Sequence, residues 1–163
     1  MGMPEVKKVF RKREAERALV ISVDPGQRSF GFSVRLSTPS QSRRLVSGHM
    51  GMDDLQCARG LIANAMMVAV EDDEKDEPQT VWAVEFARHW HMGFYAGMVT
   101  GSLFSGGDLV CRVSPSQWRA WLNITPGEDL KEQACKLTRI EQHDEAEADC
   151  IAIYTEEYLH AVT

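Results

Sequence analysis

The stretch ALVISVDPG, residues 18–26, constrains this chain more than any other. Its first six residues are apolar but for one serine, rich in β-branched side chains and of strand length, and Pro25-Gly26 ends them. A buried strand is therefore expected over residues 18–24. It ends in an acid, Asp24. An ionised carboxylate at the end of a buried strand is costly unless something pairs with it. Aspartate is also favoured where a chain opens an Asp-Pro-Gly turn. Taken alone, Asp24 reads either as a turn opener or as a functional acid.

The rest of the chain organises around this strand. Residues 30–36 (FGFSVRL) alternate apolar and polar as a second strand, residues 37–42 form a loop, and residues 43–50 suit a third strand. The three form an antiparallel meander. Asp53 is placed to cap a helix running to Val70, with Leu55, Ala58, Ile62, Ala65 and Met66 at helical spacing. After the acidic loop 71–77, residues 80–86 (TVWAVEF) read as a fourth strand. Residues 91–105 read as a helix whose glycines at 93, 97 and 101 lie near one face, closed by Gly106-Gly107. Residues 109–113 make a fifth strand. Three helices follow, over residues 115–122, 129–142 and 144–160. The expected fold is α/β: a five-stranded mixed sheet, three antiparallel strands then two parallel ones, flanked by helices. A chain of 163 residues suits one domain. That domain is assigned to residues 18–163, after a charged arm over 1–17 with six Lys/Arg and three Glu.

The net charge is −6, but it is unevenly spread. Residues 71–77 carry six acids and one lysine, and residues 141–149 carry five acids. The remainder has 17 bases against 13 acids, so the acidity does not exclude a nucleic-acid partner. Cysteines at 57, 111, 135 and 150 form no C-x-x-C pair, which disfavours a zinc knuckle or a disulfide scaffold. No apolar run approaches the roughly 18 residues of a membrane span. The basic start is followed by no apolar stretch of the secretory kind, so a cytoplasmic location without a membrane partner is expected.

Two further acids stand in apolar surroundings. Glu85 follows Val84 and precedes Phe86 in the fourth strand, where Glu is disfavoured unless it faces outward from an edge. Asp149 lies in AEADCIAIY, with Glu145 four residues earlier on the same helical face. Acids in a helix's first turn also favour its dipole, a reading that suits Asp144 and Glu145 better than Asp149. With strands one and four adjacent and the last helix across them, Asp24, Glu85 and Asp149 would meet in one cleft. Clustered carboxylates repel unless protonated or bridged by cations. Oxygen donors suit Mg²⁺ or Mn²⁺, and two such ions can activate a water and stabilise the leaving oxygen of a phosphodiester.

These residues resemble the RuvC-like Holliday-junction resolvases of the RNase H-like nuclease superfamily. The resemblance is carried by Asp24-Pro25-Gly26 with Gly31-Phe32, by the strand ending in Glu85, and by Ala148-Asp149-Cys150-Ile151-Ala152. The intervening Val113-x-Pro115-x-x-Trp118-Arg119 is similar to phage members. It spans about residues 18–160. It implies a magnesium-dependent endonuclease, with manganese able to substitute, holding two ions per active site. It also implies a homodimer making paired symmetric nicks in four-way or other branched DNA, leaving 5′-phosphate and 3′-hydroxyl ends, with no nucleotide cofactor. Asp24, Glu85 and Asp149 become metal-binding catalytic acids. The family commonly has a fourth acid or a histidine three residues before the last, where this chain has Ala146. Glu145 is the favoured substitute, ahead of Asp144 and Glu147. Arg119 and Lys131 match basic family positions and can hold the scissile phosphate, Lys131 being counted with the catalytic set. Arg88, Arg112, Arg119, Lys131 and Lys136 form the expected DNA-binding set, and the glycine-rich helix the dimer contact. Trp90, Phe94 and Tyr95 are either core or interface and base-stacking residues.

Three other readings compete. One is a non-catalytic junction-binding protein of the same fold, which the departure at Ala146 keeps open. Another is an RNase H-like nuclease acting on hybrids or flaps. A sugar-kinase or actin-like phosphotransferase would need a second such domain, which 163 residues cannot supply.

Overall fold

The structure, a computed structural model, describes residues 17–71, 77–86, 90–104, 106–107, 109–127 and 129–162, with backbone alone for 90–95 and 162. Five strands form one sheet: β1 (Ala18–Pro25), β2 (Ser29–Ser37), β3 (Ser42–Gly51), β4 (Gln79–Glu85) and β5 (Leu109–Val113). Their order is β3-β2-β1-β4-β5. β1 pairs antiparallel with β2 and β2 with β3, whereas β4 runs parallel to both β1 and β5. This is the expected mixed sheet, and the fold is RNase H-like. The helices are α1 (Leu55–Glu71), α2 (Trp90–Leu103), α3 (Pro115–Trp121), α4 (Leu130–Thr138) and α5 (His143–Val162).

Alternation along β1 feeds two cores, because successive strand side chains point to opposite faces. Leu19, Ile21 and Val23 pack with Phe30, Phe32 and Val34 of β2 under Ala58, Ile62 and Ala65 of α1 and Val99 and Leu103 of α2. Ala18 and Val20 face the other way, with Val81, Ala83 and Val113, under Trp118 of α3, Ala134 of α4 and Ile151 of α5. Asp24 continues this second set, and so points towards α5. Among the described residues, no helix is long and apolar enough to cross a membrane.

Two local readings are corrected. Asp53 does not begin α1; it lies within a 3-10 turn, Met52–Asp54, that leads into it. The helix expected over 129–142 stops at Thr138, where Arg139 adopts a left-handed conformation (φ 60°) and its N–H bonds the Cys135 carbonyl at 2.8 Å. That cap usually carries glycine, so the sequence holds no signal for it. The break lets the chain turn into α5, whose Glu145 N–H donates to Gln142 Oε1 at 2.6 Å. Arg17, the last residue counted with the charged arm, adjoins β1: its carbonyl accepts from Gln79 N–H at 3.1 Å and its Nη2 donates to the Ala69 carbonyl. Residues 1–16 and the centre of the acidic loop lie outside the described residues.

Candidate metal centre

Asp24 sits opposite Gly31 in the β1–β2 register, at the end of the sheet where α5 begins. Gly31 has no side chain to hold α5 away, and the Asp144 backbone occupies that space. The first turns of α5 thereby project Asp144 and Glu147, three residues apart and on one helical face, at Asp24. One ligand oxygen from each of Asp24, Asp144 and Glu147 lies within 4.8 Å of the others. Glu85 closes the group from the end of β4, one residue beyond the Val23–Val84 pairing.

A neighbouring helix end holds Glu85. Ser114 caps α3 by accepting from the Gln117 N–H, and the Gln117 side chain returns the bond. The short helix so fixed buries Trp118 completely, and its indole N–H donates to Glu85 Oε2 at 2.7 Å. Arg119 follows, its guanidinium 5.0 Å from the Trp118 ring centre and its Nη2 3.6 Å from Glu147 Oε1.

Electrostatics make Asp24 and Glu85 reluctant to ionise. Burial, then the charges of Glu85, Glu147 and Asp144, push the Asp24 carboxyl well above its usual range. Burial likewise raises Glu85, with the Trp118 N–H pulling against it, Glu147 adding to it and Arg119 opposing it. Desolvated, mutually repelling carboxylates are relieved by protons or by a hard cation. The donor set is all oxygen and fits a divalent ion such as Mg²⁺ or Mn²⁺.

The structure brings Asp24 and Glu85 together as expected, but the helix contributes Asp144 and Glu147 rather than Glu145 and Asp149. Glu145 turns towards β3 and accepts from Ser47 Oγ at 2.6 Å. Asp149 is completely buried away from the cluster, accepting from Ser33 Oγ (2.6 Å), Arg35 Nη1 (3.1 Å) and Arg44 Nη1 (2.8 Å). Asp144 and Glu147 keep the spacing of three that the resemblance implies, shifted two residues towards the helix start.

The expected basic residues scatter. Arg119 borders the acids. Lys131 and Lys136 are exposed on α4. Arg112 is exposed on β5, stacked 5.3 Å from the Phe86 ring centre, on the sheet face opposite Cys111 and Val113. Arg88 lies outside the described residues, as do the side chains of Trp90, Phe94 and Tyr95. Sequence reasoning missed Trp118 as the donor to Glu85, and missed Arg35 and Arg44. The signal for that pair was two arginines in adjacent strands within reach of an acidic helix.

No protein-family model matches the chain, and no curated protein matches it. Solved structures do. The chain is similar to RuvC of Thermus thermophilus (TM-score 0.55, 20% identity, covering 88% of this chain and 96% of that one). It is similar to the Fowlpox virus resolvase solved with Holliday junction DNA (TM-score 0.53, 12% identity, 86% and 98%). The yeast mitochondrial Holliday junction resolvase also resembles it (TM-score 0.50, 14% identity, 98% and 88%). At these identities the likeness establishes the RNase H-like fold.

Proposed function

We propose that this chain is a metal-dependent endonuclease that resolves four-way DNA junctions, working in the cytoplasm as a homodimer with one active site per subunit. The convergence of Asp24, Asp144 and Glu147 at the end of β1, beside Glu85, carries the reading. The likeness to the Fowlpox virus and yeast mitochondrial Holliday junction resolvases, and to a RuvC solved with a Holliday junction substrate, supports the substrate class.

In this reading Asp24, Glu85, Asp144 and Glu147 are the residues that would hold two divalent ions, Mg²⁺ or Mn²⁺. When bound, such ions lower the pKa of a water and neutralise charge on the phosphodiester. The chain does the rest. Trp118 fixes the orientation of Glu85. Arg119, at the rim of the acids, binds the scissile phosphate, and Lys131 and Lys136 contact neighbouring phosphates. Asp149 and Glu145 support α5 and are not ligands.

The dimer contact is assigned to the outer face of α2. Side chains built at Gly97 and Gly101 would meet nothing within 4 Å, and Met98 is exposed beside them. On α1, Met67, Val68 and Val70 are exposed as well. An open apolar surface of this kind suits a helix from a second copy.

The test is cleavage of a synthetic immobile four-way junction beside a matched linear duplex and an RNA–DNA hybrid, with Mg²⁺, Mn²⁺ or EDTA. Paired, metal-dependent nicks in the junction alone are expected. Cutting of the hybrid instead would move the substrate class, and tight junction binding without cutting under either metal would remove the catalytic reading.

A further inference from the structure

We propose that His49 is a positioning residue for the metal centre, and that the edge strand β3 aims the acidic turn of α5. The inference rests on the metal-site reading above.

The β2–β3 register pairs Gly31 with His49, Ser33 with Ser47 and Val34 with Val46, and then jumps to Arg35 with Arg44, leaving Leu45 as an extra residue. Such a bulge re-aims the side chains beyond it. Without it Leu45, not Arg44, would share a face with Ser47 and His49. With it, all three polar side chains look at α5, and each meets an acid there. His49 Nε2 lies 3.2 Å from Asp144 Oδ2. Ser47 Oγ donates to Glu145, and Arg44 Nη1 to Asp149 Oδ2 and to the Thr138 carbonyl at 3.1 Å. Strand and helix are thus matched along three successive contacts.

His49 matters most for the centre. Asp24, Gly31 and His49 form one row across three strands. The Asp144 backbone covers the middle of that row, and its carboxylate is reached by His49 on one side and Asp24 on the other. The Asp144 side chain is 37% exposed, at the start of a helix, and nothing else described fixes it. A ring N–H on Oδ2 removes its rotational freedom and presents the remaining oxygen in one direction. Partners of this kind set the affinity of the ligands they hold.

The experiment is Mn²⁺ binding to the full chain, read by calorimetry and by the paramagnetic resonance of free Mn²⁺, without DNA. His49→Ala is expected to weaken binding about 10–100-fold. His49→Gln, whose amide can still donate to Asp144, is expected to recover most of it. His49 is exposed on an edge strand, and circular dichroism of both variants verifies the fold. Wild-type binding left unchanged in His49→Ala overturns the inference alone. Equal losses in both variants also overturn it, since a direct nitrogen ligand behaves that way. A wild-type chain that binds no Mn²⁺ overturns the metal-site reading, and the inference with it.

Discussion

Gly31 and Asp144 are in backbone contact: a Cβ added to Gly31 would stand 2.6 Å from the Asp144 carbonyl carbon and closer still to its oxygen. Neither partner can yield by a rotamer change, because both are main chain. Gly31→Ala should therefore lift the first turn of α5 off β2 and carry Asp144 away from Asp24. Overpacking of this sort costs about 1–3 kcal/mol. The expected result is a folded variant, less stable in urea by that amount, with Mn²⁺ binding and junction cleavage both lost. Retention of wild-type metal affinity would show that Asp144 is not held by this contact.

The raised Asp24 and Glu85 carboxyls predict an unusual pH dependence. Each takes up protons more readily in the folded chain than in the unfolded one. Their contribution to stability is therefore full at low pH and is lost as the pH climbs from the ordinary carboxylate range through their raised values. In EDTA the melting temperature should gain from acidification across this window more than it does in Asp24→Asn, which has no Asp24 charge to suppress. Millimolar Mg²⁺ should reverse the loss in the wild type by mass action and leave Asp24→Asn largely unmoved. The same variant should bind junctions and fail to cut them. Melting curves against pH, with and without Mg²⁺, check the first part and junction gel shifts the second.

The strands, and the places of Asp24 and Glu85 at strand ends, could be read from the sequence because each rests on a local pattern. The apolar run before Asp24 fixes a strand and its last residue, and VWAVEF does the same for Glu85. The helical acids could not be read in this way. Four acids, at 144, 145, 147 and 149, cover much of the circumference of α5. The stripe 145, 149 and the stripe 144, 147 are each self-consistent pairs, at spacings of four and three. What selects between them is the rotation of α5, and that is set by residues distant in sequence. Arg35 and Arg44 claim Asp149, Arg35 also claims Glu156, and Gly31 admits Asp144. The early end of α4 escaped for a similar reason, since Arg139 takes a backbone conformation its side chain does not advertise.

Asp149 offers a direct test of that rotation. It is a completely buried acid with two arginine partners, so its removal takes a carboxylate from both guanidinium groups and leaves Arg35 with Glu156 and Arg44 with the Thr138 carbonyl. Breaking a buried pair on one side costs about 3–5 kcal/mol, and Asp149→Ala should lose that much in chemical denaturation without metal. A repelling ligand behaves in the opposite sense: Asp24→Asn should be neutral or stabilising under the same conditions. If Asp149→Ala instead stabilises the metal-free chain, the acid belongs to the metal cluster and α5 is rotated to face it towards Asp24.

The assembly prediction uses a position where a substitution should not harm the fold. Gly101 is exposed on α2, and a side chain there meets nothing within 4 Å of its Cβ. Glycine inside a helix costs roughly 0.5–1 kcal/mol relative to alanine, so Gly101→Arg should leave the isolated subunit as stable as before or more so. If the outer face of α2 meets a second copy, the same arginine places a bulky charge in a close helix contact. Sedimentation velocity should then show a dimer for the wild type and a monomer for the variant. The paired nicks that release two duplexes should give way to slow, uncoordinated single nicks, while the metal centre, on the other face of the sheet, still binds Mn²⁺. A variant that remains dimeric would place the subunit contact elsewhere and leave the open glycines of α2 without that role.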